Sequence, residues 1–549
     1  MKVPQCLENY GNSLSYPGIV LATLFFSASL SPSLLPRPYI LQALLSGVAL
    51  ACGYGIGCIV SHIWRYLELP LLTGKTQTVV RWAVSCACLI IATISVVYSS
   101  IWQNDLRELM GLAPNIGAQH LRVVAIALLL ATVILLASRL LGFTFRLVAK
   151  RLRHVIPRKI ANFLSIVVVL FIALMLSNKL VLRNILDAMD NLYSIADIST
   201  DSGVAKPSDH TASGSPQSLI PWDTIGRTGQ NFVVTGPRQT DIVEHFNGHA
   251  LKPLRVYAGL RSADTVEERA QLALAELIRI GGFERSKLII ATPTGTGWHD
   301  PSAVDSLEYL HRGDTAIITM QYSYLPSWLT LLVDPRRAKI SANALYNVVY
   351  DYWSELPDEM RPDLYIYGLS LGSLAAETSI GLTSMLSDPI QGGVLAGPPF
   401  PSAISSHITK KRNRGSTQWL PIIKDSSFIR FTNQDNALDI AAANWGPMRF
   451  VYIQYASDPM VFFSLDLWHR EPDWLKGERA YDVSPALTWY PVVTFLQLLF
   501  DLPMADRMPR GNAHNYAAKS YIDAWIEVTQ PPDWNDVKTM RLKTLFKGR

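Results

Sequence analysis

The chain has 549 residues with 49 lysines and arginines against 44 acidic residues, a net charge of +5, and this length exceeds one ordinary core and allows several domains. Seven bases and no acid fall between Arg139 and Lys159 (Arg139, Arg146, Lys150, Arg151, Arg153, Arg158 and Lys159), which accounts for the surplus and leaves no case for nucleic-acid binding. All five cysteines precede residue 89, with no C-x-x-C pair and no Cys/His zinc spacing, so neither a metal nor any other cofactor is implied, and the cysteine-free remainder tolerates an oxidising compartment.

Only 17% of the residues are charged, and the apolar excess lies before residue 185. Residues 17–35, 39–63, 82–101, 123–143 and 160–182 each meet the need for about 17 to 25 apolar residues in a membrane span. The bases between spans four and five hold that loop in the cytoplasm by the positive-inside rule. An odd number of spans then puts the amino terminus inside and everything after Leu182 outside. Residues 1–185 are accordingly expected to form a transmembrane helical domain.

From Asp197 to Gln230 the chain is rich in Ser, Thr, Gly, Pro and Asp without hydrophobic periodicity, so 186–230 reads as a linker. After it, apolar strand-like runs alternate with helical runs: 232–234, 254–258, 287–292, 315–322, 363–367, 393–396, 428–432 and 449–455 as strands, with helical spacing over 263–280 and 338–356. That alternation predicts a mostly parallel, doubly wound α/β sheet covered by helices over 231–549.

Within it, Gly368-Leu369-Ser370-Leu371-Gly372 follows the run 363–367 and opens a helical run at Leu371. G-x-S-x-G alone is a weak signal, but between a strand and a helix it becomes a nucleophile elbow. A serine hydroxyl is a poor nucleophile, and a tight turn exposes it to a base beside the first free amides of a helix. The acid and base that follow such a serine in chain order are expected at Asp458, just past the 449–455 strand, and at His514, in the polar loop Arg510-Gly511-Asn512-Ala513-His514. His469, the other histidine after Asp458, follows Trp468 in a covering segment and reads as packed or exposed. For developing negative charge on a substrate oxygen, Leu371 N–H supplies one backbone donor and Thr294, in the loop 293–298, the second, with Gly295 next in order.

These residues resemble a membrane-anchored bacterial α/β-hydrolase family that joins a multi-span amino-terminal domain to a carboxy-terminal hydrolase domain. The resemblance covers nearly the whole chain and rests on Ser33-Leu34-Leu35-Pro36-Arg37-Pro38, Gly295-Thr296-Gly297-Trp298, Tyr367 to Ser373, Gly397-Pro398-Pro399-Phe400 and Tyr455-Ala456-Ser457-Asp458-Pro459. It implies an α/β-hydrolase fold with Ser370, Asp458 and His514 as its triad, and it implies no substrate.

More than fifty residues separate Asp458 from His514, and 489–500 is apolar and aromatic; an insertion at 459–510 is expected as a lid, a helix touching the bilayer, or a fixed cap. Together these readings anticipate a multi-pass protein of a bacterial cytoplasmic membrane whose serine esterase or lipase-like domain faces outward and acts on a lipid or envelope ester. An envelope acyltransferase with the same triad is one alternative. A transport or assembly factor with an idle hydrolase domain is another, although the spans lack the mid-depth ionisable pairs of a translocation path.

Overall fold

In a computed structural model of the chain, residues 15–115, 117, 119–152, 179–381, 386–440 and 443–547 are described. They divide into two compact units, one formed by Met1–Ile185 with Phe463–Met504 and the other by Leu186–Phe462 with Ala505–Arg549.

Among the described residues of the first unit three helices are long and apolar enough to cross a membrane: Tyr39–Tyr66, Gly74–Leu109 and His120–Thr144. They contain the second, third and fourth expected spans. The first expected span is instead a shorter helix of 15 residues, Tyr16–Leu30. Proline at 32, 36 and 38 removes amide donors and biases the preceding residues to extended backbone, so residues 31–38 are not helical. The fifth expected span, 160–182, lies outside the described residues up to 178, and the chain resumes in the helix Lys179–Ile198. Leu89, Ile90, Val97, Leu129 and Leu140 are each more than half exposed. An apolar surface of that extent is suited to hydrocarbon rather than water, and the three long helices point to membrane association.

The insertion after Asp458 belongs largely to this first unit. Its helix Val493–Asp501 buries Leu496 against Leu45 and Ala49, with Phe495 and Phe500 packed alongside. Gln497 donates to the carbonyls of Ala28 and Ser31 at 3.2 and 3.0 Å. Arg37 and Asp501 form an ion pair at 2.7 Å with both side chains fully buried. The apolar surface of 489–500 therefore packs against the amino-terminal helices.

The second unit is built on a seven-stranded sheet in the order β1-β3-β2-β4-β5-β7-β6. Its strands are β1 Leu254–Ala258, β2 Lys287–Thr292, β3 Thr315–Met320, β4 Asp363–Leu369, β5 Gly392–Ala396, β6 Ile429–Thr432 and β7 Arg449–Ile453. Every pairing is parallel. The strands are buried almost end to end, as a parallel sheet covered on both faces requires. Helices Val266–Arg279 and Arg336–Glu355 pack together, as do Pro301–Leu310 and Ala518–Thr529. Val266–Arg279 starts where Thr265 and Glu268 complete a capping box.

Two expectations are corrected in this unit. Residues 232–234 lie in the helix Arg227–Val234, with the Phe232 ring tilted against that of Tyr257 at 5.8 Å, because three apolar residues fit either period and tertiary packing chooses between them. The polar stretch 186–230 is no free tether: Ile220 and Ile225 are fully buried, and Glu276 accepts from Ser218 Oγ at 2.6 Å and Leu219 N at 2.9 Å.

Candidate active site

β4 runs to the residue before Ser370, and the helix Leu371–Ser379 begins on the residue after it. The reversal between them is made at Ser370 itself, at φ 59° and ψ −128°. A non-glycine residue held there costs about 1 to 3 kcal/mol and persists only where its surroundings enforce it. They do so from two sides. Ser370 N–H donates to Ala396 O at the end of β5 (2.9 Å), and its own carbonyl accepts from Ser373 N and Leu374 N at 2.9 and 3.2 Å. A Cβ on Gly372 would lie 2.3 Å from Thr292 O at the end of β2, so only glycine lets the elbow helix approach that strand.

Asp458 lies beyond β7, fully buried. Its Oδ2 is 2.6 Å from His514 Nδ1 and accepts from the Tyr516 hydroxyl at 2.5 Å, while its Oδ1 accepts from Met460 N–H at 2.8 Å. An ionised carboxylate can only accept, so with Asp458 ionised the imidazole donates from Nδ1 and, when neutral, carries its lone pair on Nε2. His514 Nε2 and Ser370 Oγ are both buried with no hydrogen-bond partner. The stretch Ala396–Gly397 connects them, for Ser370 bonds to Ala396, and a Cβ placed on Gly397 would lie 2.6 Å from His514 Cε1. The structure thus pairs Asp458 with His514 directly and brings Ser370 to the strand end against which the imidazole rests.

The loop carrying His514 is fixed by contacts the sequence did not announce. Arg510 Nη1 reaches both oxygens of Asp300 (3.0 and 3.1 Å), Ser302 Oγ (2.8 Å) and Tyr516 O (3.2 Å). Ala513 N–H donates to Ser457 Oγ at 3.0 Å, and His514 N–H to Ala505 O at 3.1 Å. Burial raises the Asp300 carboxyl above its usual range, against the opposing pull of Arg510. His299, next to it in sequence, is pressed down to about 3 by burial, with Arg255 adding to the shift, and its Nε2 is bonded to Thr319 Oγ1 at 2.8 Å. It is a neutral packing group. His469 lies in the first unit with its ring 4.4 Å from that of Trp468.

Leu371 N–H stands at the first position of the elbow helix, where no intrahelical acceptor exists. The second expected donor is corrected. Thr294 N–H is committed to Trp298 O at 3.0 Å, in a turn that Gly297 N–H closes onto Thr294 O at 2.9 Å, and Gly295 N–H is taken by Ser327 Oγ at 2.7 Å. A loop rich in Gly and Thr satisfied its own backbone groups locally, and that turn was not readable from composition. The roles of Tyr516, Arg510, Asp300 and Gly397 were not assigned from the sequence, although Gly397 stands in the motif 397–400 and Arg510 and Tyr516 flank His514. Among the described residues no three His, Cys, Asp or Glu converge as metal ligands.

Comparison with known families finds the Alpha/beta-hydrolase family over residues 254–542 and the Alpha/beta-hydrolase family N-terminus over residues 30–237. No curated protein and no solved structure matched the chain. The first match spans the whole sheet, the elbow, and both Asp458 and His514. With a parallel α/β sheet, a serine at the strand-to-helix turn and an amino-terminal region that matches in its own right, the chain belongs to the alpha/beta-hydrolase family.

Proposed function

We propose that the protein is a membrane-anchored serine hydrolase that acts through an acyl-enzyme on an ester, with Ser370 as nucleophile, His514 as base and Asp458 as the carboxylate that orients it. The observation that carries this reading is the pair of buried, unpartnered atoms Ser370 Oγ and His514 Nε2, the one on a strained elbow and the other on an imidazole whose Nδ1 is held 2.6 Å from Asp458. In the reaction Ser370 Oγ attacks the ester carbonyl while its proton passes to Nε2. The tetrahedral oxyanion meets Leu371 N–H, and the C–O bond to the alcohol breaks as Nε2 returns the proton to the leaving oxygen. Water then repeats the sequence on the acyl-enzyme. A lipid or other envelope ester is the substrate class that suits a catalyst anchored beside a bilayer.

The test is labelling by a serine-directed fluorophosphonate. Ser370→Ala should fold and lose the label, and His514→Ala or Asp458→Asn should lower ester turnover by several orders of magnitude, with Asp458→Asn the milder. Equal labelling of wild type and Ser370→Ala removes the proposal. A second reading, transfer of the acyl group to an envelope hydroxyl, is favoured by the enclosure of the nucleophile, since Ser370 is only 1% exposed and a site closed to water suits transfer better than hydrolysis. Product partition between water and added sugar acceptors separates the two.

The same proposal has the catalytic unit outside a bacterial cytoplasmic membrane, a reading supported by the bases between Arg139 and Lys159. An alkaline phosphatase fusion after Leu182 should be active and one after Arg153 inactive; the reverse result puts the chemistry in the cytoplasm.

A further inference from the structure

The first unit contains a pocket of about 70 Å³ that the serine chemistry does not use. It forms where four helices begin or end at one level. Leu30 closes Tyr16–Leu30, Arg37 precedes Tyr39–Tyr66, Gln103 lies near the end of Gly74–Leu109, and His120 opens the next helix. For helices of spanning length this is the level of the membrane–water boundary, where lipid headgroups reside.

Its chemistry is one-sided. Arg37 is fully buried; its Nε is taken by Asp501 at 2.7 Å and its Nη1 by Gln42 Oε1 at 2.9 Å, but Nη2 has no partner. Gln103 Oε1 accepts from Arg37 N–H at 2.9 Å, while Gln103 Nε2 is likewise buried and unpartnered. Both side chains line the pocket, and no aspartate or glutamate is among its lining residues. A buried donor without an acceptor costs about 1 to 3 kcal/mol, and here two belong to residues that line one pocket. With Asp501 neutralising Arg37, the remaining formal charge in the lining is that of Arg107. Leu30, Val96 and Val123 give the same pocket an apolar wall.

We propose that this pocket binds the head of a singly charged anionic amphiphile, a phosphodiester or carboxylate whose two oxygens accept from Arg37 Nη2 and Gln103 Nε2 while its chain follows the apolar wall. The charge count matches a monoanion, the paired donors match two oxygens on one atom, and the position matches the depth at which such heads lie. The site is independent of the reading of Ser370, because every residue it uses lies in the first unit.

The experiment uses the full chain purified in a non-ionic detergent and titrated with phosphatidylglycerol, phosphatidylcholine and soluble glycerol 3-phosphate, with native mass spectrometry reading retention. Phosphatidylglycerol should bind at least tenfold more tightly than either of the others. Gln103→Glu keeps the acceptor for Arg37 N–H but replaces the free donor with a carboxylate that closes onto Arg37, and it should weaken phosphatidylglycerol at least tenfold without changing phosphatidylcholine. Arg107→Gln, which removes no buried group, should weaken it in the same sense; the melting temperature of each variant verifies folding. Equal retention of charged and zwitterionic lipid, or unchanged phosphatidylglycerol binding in both variants, overturns the proposal and leaves a water-filled pocket. Glycerol 3-phosphate binding as tightly as the lipid shows a soluble ligand and overturns the amphiphile.

Discussion

Gly397 offers the sharpest probe of the active-site reading, because it touches the base without supplying any chemistry. It sits just past β5 at φ 55°, with its N–H donating to Ile453 O at 2.8 Å. In Gly397→Ala the new methyl would lie 2.6 Å from His514 Cε1 and 2.7 Å from the Tyr516 hydroxyl, where ordinary contact begins at 3.4 Å. His514 cannot retreat freely, since its Nδ1 is held at 2.6 Å by Asp458 and its loop by Arg510. The imidazole must therefore move by roughly 0.8 Å relative to Ser370, and a misplacement near 1 Å is worth on the order of a hundredfold in rate. A positive φ also disfavours alanine by about 1 kcal/mol whatever the space. Gly415→Ala separates the two effects: Gly415 has φ 90° with nothing within 4 Å of an added methyl, so the substitution should lose similar stability and keep activity. The assay is kcat/KM on a short chromogenic ester beside a thermal melt of each variant. If Gly397→Ala and Gly415→Ala have the same kcat/KM while both remain folded, His514 is not the base.

Tyr516→Phe should lower kcat/KM about tenfold, because it removes a strong donor from the carboxylate that orients His514; an unchanged kcat/KM in a folded variant would make Tyr516 a packing residue only. Glu377, on the elbow helix, accepts from Ser402 Oγ and from Tyr452 OH at 3.1 Å, and burial raises its carboxyl to about 7. The folded state then holds its proton more tightly than the unfolded chain, so this contribution to stability is complete below about pH 4.5 and is lost as pH rises through 7, by up to about 3 kcal/mol. Urea unfolding at pH 5 and pH 8 should show that fall in wild type and a smaller one in Glu377→Gln; parallel falls would place the titration elsewhere. Asp300→Asn keeps the shape of the contact but weakens the ion pair with Arg510, and it should lower kcat more than it raises KM; a change in KM alone would show that the pair does not position the His514 loop.

Local chemistry determined much of this protein. The apolar runs of 39–63, 82–101 and 123–143 lie in helices, because twenty or more apolar residues have few other conformations that satisfy their backbone. Seven of the eight expected strands are present, since a parallel sheet buried on both faces writes continuous Val, Ile, Leu and Tyr into its strands. G-x-S-x-G between a strand and a helix located the strand-to-helix turn at Ser370, and chain order pointed to Asp458 and His514, which the fold brings within hydrogen-bond distance of each other. Tertiary structure decided the rest. Arg510 and Asp300 are 210 positions apart, Arg37 and Asp501 464 apart, and no local pattern records which distant partner a charge will meet. The same holds for the apolar run at 489–500, which specified that something must cover it but not that Leu45 and Ala49 would. The backbone donors of 293–298 were settled by a turn that closes on itself, leaving Thr294 N–H bound to Trp298 O rather than free for a substrate. Periodicity encodes which face of an element is apolar, and only the packed chain decides what that face, or a buried donor, finally meets.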